Sequence, residues 1–418
     1  MAEREGGGSN SDSNSNSGDN KKNVYALGFV SFFTDLSSEM VFGLLPLFLT
    51  GQLGISRAAL GMVEGMAEML GYTVRMGSGA MSDRMQRRKP LVVMGYSLSA
   101  AAKPLFGAAA GWADAFLVRS VDRVGKGIRT APRDALISES APASRVGRYF
   151  GLHRSMDQAG AIAGPALAFA LFPLAGFDGI FYLSLVPGAI AVVILLLFVK
   201  DLPIAKGQGK ESRPSVLRNV RAVLAERRFV FLLAIMGVFS LGAFNFSFVL
   251  VRASDIGVAD SQIMLVYLAI NAAHTLVGYP VGVLADRVGR EKLLPAAYGA
   301  FLASAFFMLL ASGTDVAQAY LLAAVYGAYV GIAETVQRAV VPRYARSEHR
   351  ATAYGLYNLV VGLAFLAANV VFGLLYDGMG LAAAVAYSAT TSSIAIAAMV
   401  AFIATAAKKP ATTAATPQ

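Results

Sequence analysis

Two stretches of this sequence decide its architecture: GAMSDRMQRRK at residues 79–89 and GVLADRVGREK at residues 282–292. Each follows a long apolar segment, and the two share Gly, Asp, Arg, Arg and Lys at the same spacing. Hydrophobicity alone does not reproduce the order of residues in a polar loop. The sequence therefore predicts an internal repeat, with one copy of the loop in each of two homologous halves.

The composition extends this prediction to the whole chain. Of the 418 residues, 56% are hydrophobic and only 15% are charged, and there is no cysteine. This is too apolar for a soluble domain and excludes a disulfide scaffold or a Cys-ligated metal. Twelve spans of ~20 residues would use about 240 residues and leave short loops and polar tails. We predict an all-α membrane protein with 12 transmembrane helices in two pseudo-symmetric six-helix bundles.

Polar segments divide the chain into five regions. Residues 1–23 are rich in Gly, Ser, Asn and Asp and predict a disordered tail. Apolar segments at 24–200 and 228–407 predict the two six-helix bundles, joined by a basic linker at 201–227. Residues 408–418 form a second polar tail.

Basic residues mark one side of the predicted bundle. The loops after even-numbered spans hold most loop cations, whereas the opposite loops hold mainly acids: Asp114, Asp178, Asp255, Asp260, Asp315 and Asp377. The positive-inside bias then places both termini and the linker in the cytoplasm, in a multi-pass protein of the inner (plasma) membrane. The net charge of +10 is thus a topology signal, and we expect no nucleic-acid partner.

The repeated loop, G-x-x-x-D-R-x-G-R-R/K, resembles the motif of the major facilitator superfamily, and the resemblance covers residues 24–407. The first copy departs from the pattern at Gln86, where the motif has Gly, whereas the second keeps Gly289. The resemblance implies a latch that holds one access state, formed by Gly79, Asp83, Arg84, Arg87, Gly282, Asp286, Arg287 and Arg290. The alternative is a solvated basic turn that only fixes topology.

The fifth span carries Gly160, Gly164 and Pro165, which resemble the G-x-x-x-G-P element of proton-exchanging exporters in that superfamily. Small residues four apart allow close helix approach, and Pro165 removes a backbone donor. Ordinary close packing explains the element almost as well.

Ionisable groups deep in predicted spans are functional candidates, because each is costly in lipid unless it is paired or faces water. Asp35 lies roughly 16 Å into the first span at 1.5 Å per residue, and Glu39 is one turn further on the same face. Two carboxylates this close favour proton retention by one of them, so we predict that they couple transport to protons. The alternative is permanent pairing of both with cations of the fourth span.

The fourth span carries a polar stripe that cannot face lipid. Its members fall within an arc of about 80° at ~100° per residue: Arg119, Asp122, Lys126, Arg129 and Arg133. The superfamily resemblance implies that spans 1, 4, 7 and 10 line the central cavity, opposite Asp35 and Glu39. Lys126 and Arg129 are predicted either to pair with acids as a switch or to bind an anionic substrate. Glu64 and Glu68 on the second span, with Arg75 two turns further on, form another set of buried charges.

The equivalent surface of the second half is nearly uncharged. We predict that substrate contacts there come from Asn245, Tyr267, Asn271, His274, Tyr326 and Glu334, with Glu334 neutralised by Arg338 one turn away. The alternative is that the aromatic residues only pack helices. Three histidines are too few for a metal cluster, so neither a metal nor another cofactor is expected.

These features predict a secondary active transporter that moves a small organic solute by alternating access, with the proton as coupling ion. Proton-coupled efflux, or antiport, is preferred. Uptake or exchange of an organic anion or phosphorylated metabolite is the first alternative, and a non-transporting membrane sensor is the second. The sequence has no enzyme motif. The expected partners are a small-molecule substrate, protons and the bilayer around a monomer.

Overall fold

The structure is a computed structural model, and it describes residues 12–85, 87–141, 146–201, 216–311, 316–346 and 349–407. In the first half the helices are α1 (Asp12–Phe42), α2 (Leu45–Leu47), α3 (Arg57–Met85), α4 (Lys89–Ala102), α5 (Trp112–Ser140), α6 (Val146–Leu183) and α7 (Leu185–Phe198). The others are α8 (Val216–Ala225), α9 (Arg227–Gly242), α10 (Phe246–Asp255), α11 (Asp260–Val288), α12 (Arg290–Leu310), α13 (Val316–Val340), α14 (Arg350–Met379) and α15 (Leu381–Ala407).

These helices fit the predicted twelve spans of an all-α membrane protein. Nine segments of the described chain are long and apolar enough to cross a membrane, and one of them, Arg148–Phe198, is 51 residues long. That segment reverses at Gly176, whose φ of 60° is the left-handed conformation that glycine adopts most easily, so it supplies two spans. The remaining two spans are α3 and α5, which are long enough to cross a membrane but carry buried charges.

The internal repeat is visible in the packing of equivalent helices. In the first half α3 packs along α5, and in the second half α11 packs along α13. A Cβ at Gly127 would lie 2.9 Å from the carbonyl oxygen of Gly71, and one at Gly331 would lie 2.7 Å from that of His274. These are matching positions of the two halves, so the same close crossing is built twice.

Two helix pairs form the most extensive contacts between the halves: α3 packs along α14, and α6 packs along α11. Glycines allow the first contact, because Gly61 lies against the backbone of Asn369 and Gly373 against that of Arg57. A side chain at either glycine would collide with main chain. We call the side of the bundle that carries α8 the linker side and the opposite side, where α3 begins, the Arg57 side.

Four details differ from the predicted boundaries. Helix α1 begins at Asp12, within the stretch predicted as a disordered tail, and α8 lies within the stretch predicted as a linker. The first span is interrupted after Phe42 and continues as α2 and a π-helix over Phe48–Gln52. The seventh span is also broken, between α9 and α10.

Candidate functional site

The centre of the first half is a buried ion pair between α5 and α3. Arg119 Nη2 lies 2.8 Å from Glu64 Oε2, and both side chains are almost fully buried, at 0% and 2% exposure. The Arg119 guanidinium also stacks over the ring of Phe42 at 3.8 Å. Two charges this deep are tolerated because each compensates the other. The predicted stripe implied that Arg119 lines an open cavity. In this structure Arg119 belongs to the packed interior instead.

A second ion pair lies one turn along the same two helices. Arg123 Nε is 3.2 Å from Glu68 Oε2, and Glu68 is more exposed than Glu64. Arg123 is not a member of the predicted stripe. Its contact was foreseeable only from the spacing of Glu64 and Glu68, which matches that of Arg119 and Arg123 on the facing helix.

The other members of the stripe have three different environments. Lys126 is exposed and forms no ion pair within the described residues. Arg129 is buried and stacks on the ring of Tyr96 at 4.5 Å, so the expected pairing of Arg129 with Asp35 or Glu39 is absent from this state. Arg133 pairs with its neighbour Asp134 at 2.8 Å.

Two further polar groups complete the buried network between α4, α5 and α1. Asp122 accepts a short hydrogen bond from Ser99 of α4. Lys103, which follows α4, is fully buried and donates a 3.0 Å hydrogen bond to Ser38 of α1. The polar stripe is thus mostly internal to the first half, and of its five members Lys126 alone is classed as exposed.

Asp35 lies beside another carboxyl group, that of Asp157 on α6, with which it interacts directly. Asp157 accepts hydrogen bonds from Ser31 Oγ at 3.0 Å and from Arg154 Nη1 at 2.9 Å. Arg154 thus compensates Asp157. No cation of the described residues lies within ion-pair distance of Asp35, although Lys126 interacts with it at longer range.

Glu39 links the two halves. It accepts a hydrogen bond from the Tyr267 hydroxyl of α11, and near this contact Asn271 Nδ2 donates to the Ala161 carbonyl of α6 at 3.3 Å. The predicted residues Tyr267 and Asn271 therefore belong to the interface between halves.

The G-x-x-x-G-P element holds α6 against α1 at the level of these carboxylates. A Cβ at Gly164 would lie 2.9 Å from the Cβ of Glu39, and Gly160 lies against the carbonyl of Phe32. Pro165 lies inside α6. The two glycines therefore let α6 approach α1 closely, which places α6 beside Glu39.

Aromatic packing dominates the second half. Tyr326 is buried and donates to the carbonyl of Phe244 at 2.9 Å, and the two rings stack. Asn245 caps α10 by accepting from Ser247 N at 2.9 Å, while its own N–H donates to Asn369 Oδ1 at 2.8 Å. In this state Tyr326 and Asn245 have structural partners where substrate contacts were expected.

Charges on α13 and α11 face the exposed part of α5 across a shared space. Glu334 pairs with Arg338 at 3.6 Å, as predicted, and both are about half exposed. Glu334 also interacts electrostatically with His274, Arg154 and Lys126. The side chains of Glu334, Arg338 and Lys126 are exposed here, so we call the space that they face between the halves the vestibule.

The structure describes the second copy of the repeated loop more fully than the first. The side chains of Gly79, Asp83 and Arg84 lie outside the described residues, and Arg87 is exposed. In the second copy Asp286 pairs with Arg290 at 2.9 Å, Arg287 is exposed, and Gly282 lies near Thr335. Asp286 is therefore paired within its own loop in this state. Gly289, which the second copy retains, has a φ of 102°, a conformation that favours glycine.

A clasp on the Arg57 side was missed by the sequence analysis. Arg57 of α3 contacts both carboxylate oxygens of Asp255 at 2.8 Å and lies 3.7 Å from Asp377 Oδ1. Tyr376 stacks under the guanidinium at 4.5 Å and donates to Asp255 at 2.7 Å. We call Arg57, Asp255, Tyr376 and Asp377 the Arg57 clasp. The available signal was the scarcity of cations among the acidic loops of that side, where Arg57 and Arg252 stand out.

The vestibule contains no obvious metal site. No group of three or more potential His, Asp or Glu ligands occurs together within the described ranges. Chemically, the arrangement offers carboxylates that can take up protons, an exposed lysine, and a hydrogen bond that depends on the relative position of the halves.

The chain matches the Major Facilitator Superfamily model over residues 27–368 and 230–418. It is 34% identical, over 87% of its length and 90% of the relative's, to an uncharacterized MFS-type transporter of Methanocaldococcus jannaschii. It is also 25% identical to the multidrug resistance protein MdtH of Salmonella newport, over 82% of its length and 84% of the relative's.

Solved structures agree on the fold. The nucleoside transporter NupG (D323A mutant) superposes with a TM-score of 0.77 at 15% identity, covering 91% of this chain and 99% of that one. A POT family transporter gives a TM-score of 0.73 at 12% identity, covering 92% and 96%. Together with the repeat, the two bundles and the central vestibule, these matches show that the chain belongs to the major facilitator superfamily and is a multi-pass membrane transporter.

Proposed function

We propose that this protein is a proton-coupled secondary transporter of the inner membrane that exports a small organic solute. Asp35 and Glu39 take up and release the coupling proton, and the two halves rock about the vestibule. One proton moving down ~100 mV supplies ~2.3 kcal/mol, so a modest gradient drives export.

The observation that carries the proposal is the environment of Asp35 and Glu39. Both lie at the centre of the bundle with no cation in ion-pair distance within the described chain, and Glu39 is bonded to Tyr267 of the other half. A carboxylate in low dielectric without a counter-charge favours the protonated form. Protonation also removes the charge that strengthens the bond from Tyr267, so proton binding and the relative position of the halves are linked.

The two ends of the vestibule support alternating access. The Arg57 clasp joins the halves on one side, while Lys126, Glu334 and Arg338 are open to solvent toward the other. With the basic loops in the cytoplasm by the positive-inside bias, this state is closed outward and open inward. Export then requires the clasp to break after substrate and proton exchange.

Export is preferred over import on two grounds. The span-5 element resembles that of proton-exchanging exporters, and one relative at 25% identity is named a multidrug resistance protein. We propose a drug-like or amphiphilic organic compound as substrate.

Flux in proteoliposomes tests the proposal. Purified protein is reconstituted with a pH-sensitive dye inside, a pH gradient is imposed, and a panel of antibiotics, organic acids and phosphorylated metabolites is added. Proton movement that depends on a compound and reverses with the gradient is expected. The absence of any compound-dependent proton movement with correctly inserted protein would contradict the proposal and favour the sensor alternative.

A second candidate, uptake or exchange of an organic anion, is favoured by one observation. Lys126 is exposed in the vestibule and forms no ion pair among the described side chains, so it can bind a carboxylate or phosphate. The same panel separates the candidates, because anion uptake would acidify the vesicle lumen together with substrate entry, whereas antiport moves proton and substrate in opposite directions.

A further inference from the structure

A groove on the outer surface of the first half lies away from the vestibule. It has a volume of about 540 Å³ and runs between α1, from Lys22 to Phe29, and the end of α7. Its walls are largely apolar, and four of the residues that line it have exposed side chains: Tyr25, Phe29, Leu197 and Phe198. The outer face of α7 continues the apolar surface through Val186, Ile190 and Val193, which are also exposed, so the groove opens toward the hydrocarbon of the bilayer.

Two lysines line the linker-side end of the groove. They are Lys22 and Lys200, and both side chains are exposed. Lys22 begins the apolar segment Lys22–Gln52 that can cross a membrane, and Lys200 follows the end of α7, so both lie where a transmembrane helix meets the headgroup layer. The apolar residues Tyr25 and Phe29 follow Lys22 by about one and two turns, and thus extend into the membrane from that level.

The two lysines are held at the same level by a buried amide. Asn23 is 2% exposed; its Nδ2 donates to the Lys200 carbonyl at 2.9 Å, and its Oδ1 accepts from the Lys200 N–H at 2.8 Å. Asn23 Nδ2 also lies 3.3 Å from Ser140 Oγ of α5. This reciprocal pair fixes α1 at Asn23 against the end of α7, so the groove and its two lysines form a built site.

We propose that this groove binds one anionic phospholipid of the linker-side leaflet, with the headgroup phosphate between Lys22 and Lys200 and an acyl chain along Tyr25 and Phe29. Paired lysines at the membrane surface match the charge of a phosphatidylglycerol headgroup. An acyl chain is the apolar group that the bilayer supplies to a lipid-facing groove. A bound lipid bridges α1, which carries Asp35, to α7.

Native mass spectrometry of the full-length protein tests the assignment. Purified protein is equilibrated with equal amounts of phosphatidylglycerol and phosphatidylcholine, and the lipid retained per protein is counted. Wild type should retain phosphatidylglycerol preferentially. In the double variant Lys22→Gln/Lys200→Gln the preference should fall on the order of tenfold, because each lysine near an anionic lipid contributes to binding. Lys292→Gln, which removes an exposed lysine on the same side of the second half, should retain the wild-type preference.

Two outcomes of this experiment would overturn the proposal, and a competition experiment supplies a third. One is equal retention of the two lipids by wild type, a result that does not depend on how any variant folds. The other is a double variant whose preference equals that of Lys292→Gln at an unchanged thermal unfolding midpoint. Glycerol 3-phosphate at the lipid concentration should not displace phosphatidylglycerol, since it lacks the acyl chains; displacement would assign the rim to a soluble phosphate and reject the lipid.

Discussion

The two halves share one fold but fill their interiors with different kinds of side chain. In the first half, α3 and α5 bury the pairs Arg119–Glu64 and Arg123–Glu68. In the second half, the interior is filled by stacked rings such as Phe239 of α9 on Tyr298 of α12, with centroids 3.9 Å apart. Buried ion pairs are costly to dehydrate and respond to a change in charge, whereas aromatic stacks are stable and insensitive to it. A repeat can therefore keep its helix packing while it places buried ion pairs of this kind in a single copy.

The largest expected effect is that of Asp35→Asn. The amide keeps the shape of the carboxyl group but cannot bind and release a proton, so proton-coupled flux should be abolished while the protein still folds. The measurement is compound-dependent proton movement in proteoliposomes, beside a thermal unfolding midpoint. Asp178→Asn, which changes an exposed acid on the Arg57 side, is the matched control and should leave flux unchanged.

The same assay also tests which half carries the coupling charge. If Glu334→Gln in the second half abolished coupling while Asp35→Asn preserved it, the coupling charge would belong to the aromatic half. Unchanged flux in Asp35→Asn would by itself remove this residue from the mechanism.

The sequence predicted the fold because its signals are regional. Apolar segments, a repeated loop at residues 79–89 and 282–292, and basic loops on one side each sum over many residues, and the family match and helical structure confirm the result. Boundaries were less predictable. A polar stretch such as residues 12–23 gives no hydrophobic signal of a helix, yet α1 extends into it.

Individual partners were only partly predictable. The i,i+4 pair of Glu334 and Arg338 lies on one helix, so its spacing was sufficient. The choice of Arg123 and not Lys126 as partner of Glu68 depends on the rotation of α5 against α3, which a 3.6-residue period does not determine. Likewise, the clasp brings Arg57 to Asp255, 198 residues away, and to Asp377, which is farther still, and no local pattern encodes that meeting.

The second prediction concerns the buried pair. Arg119→Met leaves the Glu64 carboxylate buried without a counter-charge, so the free energy of unfolding should fall by about 3–5 kcal/mol. Denaturant or thermal unfolding of the purified protein measures this. Arg119→Met combined with Glu64→Leu removes both charges and should recover most of the loss. A double variant no more stable than the single one would show that the pair is not the source of the effect.

The third prediction concerns the Arg57 clasp, which holds the halves together. Arg57→Ala should raise the population that is open on the Arg57 side roughly tenfold, equivalent to about 1.4 kcal/mol, because a bidentate arginine contact and a second acid are lost. The chain has no cysteine, so Met264→Cys supplies a clean reporter. Met264 is fully buried against Gly43 of the other half and becomes reactive to a membrane-impermeant maleimide only when that contact opens.

The matched control for the clasp is Arg346→Ala. Arg346 pairs with Glu226 at 3.2 Å on the linker side, within the second half, so its loss should not change the labelling of Met264→Cys. Equal labelling in Arg57→Ala and Arg346→Ala would mean that other contacts between the halves keep the Arg57 side closed.

The smallest effect is expected for the ion pair of the second half. The Glu334 and Arg338 side chains are 43% and 54% exposed and their closest charged atoms are 3.6 Å apart, so water already screens them. Arg338→Gln should therefore change the free energy of unfolding by less than about 1 kcal/mol. Unfolding is measured beside that of Arg119→Met, because each variant removes the arginine of one ion pair, and the two arginines lie on the equivalent helices α5 and α13. A loss from Arg338→Gln as large as that from Arg119→Met would mean that the vestibule is closed to solvent at Glu334, and charge would then be buried in both halves.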